Sequence, residues 1–131
     1  MSEERRTPAS PAAQRELLTT FITAARSGDM AALEQLLAKN ATNIADGNGR
    51  VRVARRTVVG AERVAKYLSA LAWFWENVEV RLVTTNGQTS AVLRQDGEVY
   101  GLITVSASNE GIDQVLWMVN LEKVKAVPAP A

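Results

Sequence analysis

Asp46 stands in the run Asp46-Gly47-Asn48-Gly49-Arg50. A carboxylate held beside an apolar cavity has its pKa raised by desolvation and can serve as a general base. The same Asp-Gly pattern is ordinary turn chemistry, in which the carboxylate accepts hydrogen bonds from its own loop backbone. Both roles stay open, and the turn is the commoner one. The glycines make no phosphate loop, because neither GxGxxG nor GxxxxGK occurs. Arg50, Arg52, Arg55 and Arg56 form the concentrated basic patch, suited to phosphates or to the acidic face of a partner. Strand alternation sends Arg50 and Arg52 to one face, so a solvated face accounts for them equally well. No aromatic residue interleaves with them as a single-stranded nucleic-acid surface would require. Trp73, Phe74, Trp75, Tyr100 and Trp117 hold most of the aromatic surface, and rings lining a cavity can grip a flat or apolar ligand. Trp75 falls on a helical stripe with Leu68 and Leu71, the pattern of a core residue, whereas Trp73 falls off it and reads as a cavity rim or an interface.

The absences are as informative. With no histidine and no cysteine, disulfides, thiolate nucleophiles, Ser-His-Asp and Cys-His machinery and the usual zinc and iron ligand sets are excluded. No metal site and no cofactor is expected. A net charge of +1 argues against a strong uniform field, and no direct nucleic-acid partner is expected. No pair of carboxylates has a spacing that demands acid/base work. The apolar runs are short and broken by charge, so no membrane span is expected, and the polar opening MSEERRTPASP lacks the apolar core of a secretory signal. The expected setting is soluble and cytoplasmic.

Positioning these residues takes one domain, for which 131 residues suffice. Residues 1–11 and 128–131 read as flexible tails around a domain at 12–127. Leu17, Leu18, Phe21, Ile22 and Ala25 recur at helical spacing, Gly28 is placed to stop that helix, and Asp29 to cap a second one that buries Leu33, Leu36 and Leu37 and frays near Lys39 and Asn40. Short β-type pieces fill 41–59. A third helix follows Gly60, with Val64, Leu68, Leu71 and Trp75 on one stripe. From Val78 the period drops to 2, and Asn86-Gly87, Asp96-Gly97 and Asn109-Glu110-Gly111 punctuate a four-stranded antiparallel meander. The last two strands, VYGLITV (99–105) and VLWMV (115–119), are apolar on both faces, so something covers the second face.

In this order of elements, LLTTFITAARSGDMAALEQLLA, DGNGRVRVARRTVVGAERVAKYLSAL, VEVRLVTTNGQTSAVLRQDGEVYGLITV and IDQVLWMVNLEKV resemble the SnoaL-like C-terminal domain of SigJ-like extracytoplasmic-function sigma factors, within the nuclear-transport-factor-2-like superfamily. Two motifs carry the resemblance. The family's DGGGK loop corresponds to Asp46 to Arg50, with Asn48 for the middle glycine and Arg50 for lysine. Its NPDKL motif corresponds to Asn120, Leu121, Glu122, Lys123 and Val124, with Leu121 for proline, and Thr57 likewise replaces a proline before Val58-Val59-Gly60.

The resemblance implies an α+β fold, a cone of one bent antiparallel sheet packed on three helices with a pocket at the wide end, and regulatory contact with sigma-factor domains. Relatives with enzymatic activity draw a base and a donor from inward-facing sheet positions. Here those reduce to Asp46 as base and Tyr100 as donor, with Asn43 and Asn120; Trp73 and Trp117 complete the expected ligand-binding set. The leading expectation is a pocket domain that binds a small apolar or amphipathic ligand or a protein surface; the alternative is a cofactor-free enzyme of the polyketide-cyclase, isomerase or hydrolase kind. The two-faced strands further predict a homodimer through the outer sheet face, centred on the Trp117 or the Met118 side of the last strand.

Overall fold

The computed structural model describes residues 7–47, 56–85 and 87–119. Ser10 opens α1 (Pro11–Ser27) by accepting from the Ala13 N–H, and Pro11 occupies the first turn, where its missing N–H costs no hydrogen bond. Leu18, Phe21, Ile22, Ala24 and Ala25 form its buried stripe. Gly28, at φ +69, ends the helix by donating to the last-turn carbonyls, and Asp29 at once caps α2 (Met30–Leu36) by accepting from the Ala32 N–H. The Ser27-Gly28-Asp29 corner is therefore the one the sequence predicts. Part of the expected N-terminal tail is ordered as well: the Ala9 N–H donates to Ala107 O, the Asn109 N–H to Thr7 O, and the Thr7 N–H to Asn109 Oδ1.

The second helix does not fray through Lys39 and Asn40. It passes directly into β1 (Leu37–Gly47), because Leu37 and Ala38 are both buried and Leu37 pairs with Ile112. Gly111 makes that junction possible: at φ +113 it lies so near the α2 end that a Cβ would stand 2.7 Å from Leu36 O. β2 (Arg56–Val59) returns antiparallel to β1, and α3 (Ala61–Ser69) follows. The third helix is shorter than its stripe suggests. It stops at Ser69, and a 3₁₀ turn, Ala72–Trp75, continues the chain. The break lies where Ala72 Cβ and Ser69 O pack over Gly28, and the tighter turn still delivers Trp75 into the core.

The meander is as expected: β3 (Glu79–Thr85), β4 (Gln88–Gln95), β5 (Glu98–Ser108) and β6 (Gly111–Val119) pair antiparallel in sequence. Asp96 and Gly97, both at positive φ, form the β4–β5 turn. The six strands run β2-β1-β6-β5-β4-β3, and the β1–β6 pair is parallel. The bent sheet is thus mixed, where the resemblance implied an antiparallel one; the helix and meander between β1 and β6 bring the last strand back in the direction of the first. Register shifts at Leu93/Arg94 and Ser106/Ala107 interrupt the ladder, the kind of irregularity that bends a sheet.

All three helices cover one face. Cross-strand partners share a face, so Trp117, Ile103, Ala91 and Leu82 form one row toward the helices, and Met118, Leu102, Val92 and Arg81 the opposite row. The first row is buried or packed on the core, while Met118 is 50% exposed. No helix among the described residues is long and apolar enough to cross a membrane.

Candidate functional site

The helix-covered face gathers the aromatic residues at one place. Phe74, from the 3₁₀ turn, lies at its centre, with ring centroids 5.5 Å from Trp75, 5.8 Å from Trp117, 6.0 Å from Tyr100 and 6.3 Å from Trp73. Most of these contacts are edge-on or tilted, the favoured geometry of aromatic pairs. Trp75 and Trp117 are buried, whereas Trp73 remains 43% exposed at the edge of the cluster, in keeping with its place off the helical stripe.

Tyr100 owes its direction to a bulge. Arg94 pairs with Val99 and Leu93 with Gly101, so Tyr100 is the extra residue between two ladder pairs, and both it and Gly101 are buried. Gly101 is suited to the step, since a Cβ there would meet Leu93 Cδ1 at 3.3 Å. Burial pushes the Tyr100 phenol up to about 12, with the nearby Arg26 charge pulling the other way. The phenol is therefore a neutral donor at ordinary pH. Arg26, in the last turn of α1, holds its guanidinium 5.6 Å from the Trp75 ring centroid.

Asn43 supplies the buried polar group. It lies on β1 opposite Val115, is 1% exposed, and its Oδ1 accepts from Trp117 Nε1 at 2.7 Å. An indole N–H can only donate, so this bond fixes which end of the amide is oxygen. The Nδ2 group at the other end is buried and has no hydrogen-bond partner among the described residues.

The remaining expected residues are less fully placed. The main chain of Asp46 pairs with that of Met118, while its side chain lies outside the described residues, as do Asn120, the rest of the Asn48 to Arg55 segment and the side chain of Arg56. Among the described residues no aspartate or glutamate is buried, and no group of histidine, cysteine and acidic side chains could hold a metal. An open cleft of about 350 Å³ lies elsewhere, over the start of α3, lined by Glu34, Lys39, Glu62 and Arg63 among others and by none of the residues the sequence selects. Arg26 escaped sequence reading because a basic residue in a last helical turn is ordinary complement to the helix dipole.

No protein-family model matches the sequence, and no curated protein does. Solved structures do. SigJ of Mycobacterium tuberculosis, an extracytoplasmic function sigma factor, superposes with a TM-score of 0.61 at 21% identity over 85% of this chain and 44% of its own. A nuclear-transport-factor-2-like protein of unknown function from Cytophaga hutchinsonii superposes at 0.58 with 13% identity, over 83% of this chain and 91% of its own. The fold is nuclear-transport-factor-2-like. A protein from Catenulispora acidiphila with a ketosteroid isomerase-like fold, solved in complex with trimethylamine, agrees with that at a TM-score of 0.57, with 17% identity over 83% of this chain and 88% of its own. The chain thus spans less than half of SigJ but nearly the whole of the other two, and at these identities the likeness extends to the nuclear-transport-factor-2-like fold alone.

Proposed function

We propose that this nuclear-transport-factor-2-like domain is a binding module for a small, largely apolar ligand, held between the aromatic cluster and the sheet. The observation that carries the reading is the Asn43 amide. A buried N–H group without an acceptor costs about 1–3 kcal/mol, and this one sits on the face that gathers the rings. A ligand carbonyl would satisfy it while its apolar body packs on Phe74, Trp75 and Trp117, and Tyr100 adds a second neutral donor. Donors without a described buried base favour binding over the acid/base alternative. Titration with acetylnaphthalene, a flat ketone, tests this: the expected result is saturable quenching of tryptophan fluorescence at one probe per chain, weakened in Asn43→Leu. Unsaturable quenching, or an unchanged affinity in that variant, counts against the reading.

The proposal includes a second copy of the chain as partner, joined through the sheet face turned away from the helices, in the cytoplasmic setting the sequence leads us to expect. Ile44, Leu116, Met118, Leu102 and Val92 share that face by register, and Val99 beside them is 51% exposed.

A further inference from the structure

Three observations meet at the outer edge of the ring cluster. Arg26 has its guanidinium over Trp75, and among the described residues no carboxylate pairs with it. The Tyr100 ring stands 6.0 Å from Phe74, and its phenol feels the Arg26 charge. The bulge at Tyr100 turns that phenol inward, away from the solvent its strand neighbour Val99 meets. A stacked guanidinium is a planar fork of donors with a fixed charge, matched in geometry to a carboxylate. Stacking on Trp75 holds that fork in place, and no described carboxylate neutralises its charge.

We propose that the ligand of this domain is an aromatic carboxylate, its acid group taken by Arg26 and Tyr100 and its ring by Phe74 and Trp75. The inference rests on the binding reading above and specifies the charge of what is bound. Arg26 supplies the attraction, Tyr100 a directional hydrogen bond. Because burial pushes the Tyr100 phenol up to about 12, it stays protonated and adds no opposing charge at ordinary pH. A helix-dipole role alone accounts for a cation near the α1 terminus and predicts no dependence on the ligand's charge.

Naphthoate and acetylnaphthalene differ only in whether a carboxylate or a methyl ketone is attached to the same ring system. Both are titrated into the wild-type chain, Arg26→Gln, Arg26→Lys and Tyr100→Phe, with thermal melting as the check on folding. Arg26 is exposed, so Arg26→Gln should fold. Wild type should prefer naphthoate. Arg26→Gln should lose about tenfold in naphthoate affinity, the scale of one charged hydrogen bond, and leave acetylnaphthalene within about twofold. Arg26→Lys should recover part of the loss, and added salt should weaken naphthoate alone. Wild-type preference for the ketone, or an equal response of both probes to Arg26→Gln, overturns the inference while leaving the binding reading in place. If neither probe binds the wild-type chain, the binding reading falls and this inference with it.

Discussion

Asn43 and Trp117 form a pair whose energetics are unusual, because one end of the amide is satisfied by an indole and the other end by no described residue. Removing one partner strands the other, whereas replacing both by apolar groups removes all the buried polar atoms at once. Trp117→Phe strands the Asn43 Oδ1 and should lower stability by about 1–3 kcal/mol; Asn43→Leu strands the indole N–H but removes the unpartnered Nδ2 and should lower it by less, and the double variant should lose clearly less than the sum of the two. Chemical denaturation of the four proteins of that cycle measures it. Tyr100 makes a prediction about pH. Its folded pKa of about 12 lies above the ordinary value of 10.0, so between those values the unfolded chain releases a proton that the folded chain keeps. Stability from this group is complete below pH 10, falls as pH rises toward 12, and the fall should be reduced in Tyr100→Phe when followed by melting across that window. Asn43 and Tyr100 entered the sequence reading through the family resemblance, as candidates at inward-facing sheet positions, and both side chains are buried. The unpaired Nδ2, the bulge that turns Tyr100 and the position of Arg26 over Trp75 were not legible in the sequence, since each depends on strands and helices distant in sequence.

Local chemistry predicted the elements well wherever local chemistry decides them. The Gly28-Asp29 corner, the hairpin turn at Asp96-Gly97 and the period-2 meander all follow from a few adjacent residues. The misplaced boundaries share a different cause. Leu37 to Asn40 reads as a fraying helix end but is drawn into a strand that pairs with β6, and the stripe through Trp75 is cut where Ala72 packs on Gly28. The parallel β1–β6 pair has no sequence signature at all, because nothing near Asn43 specifies Val115 as its neighbour. The N-terminal segment belongs to this group too, since Thr7 and Ala9 bond to residues 107–109, about a hundred positions along the chain. Deleting residues 1–9 removes those bonds, and the expected effect is about 1–2 kcal/mol, a drop of several degrees in Tm for a domain of this size. An unchanged Tm on scanning calorimetry would show that the segment contributes nothing.

For the whole molecule, Ile44, Leu116, Met118 and Leu102 form a half-exposed row on the sheet face turned away from the helices. Pairing two copies through it, with a standard interface of about 800 Å² per subunit, should give a particle of twice the mass of one chain by light scattering. Met118→Lys should yield a folded monomer, and a wild-type monomer at micromolar concentration would refute the dimer. The strand order has a consequence of another kind, in time rather than space. β6 is the last described strand to leave the ribosome, yet it lies between β1 and β5. Until it emerges, the helices with β1 and β2 form one incomplete body and the β3–β5 hairpins another, with no ladder between them. Closing a loop of that length is slow compared with forming helices or hairpins. A nascent chain halted before Gly111 should therefore stay protease-sensitive and in need of a chaperone, and protection should arrive in a single late step.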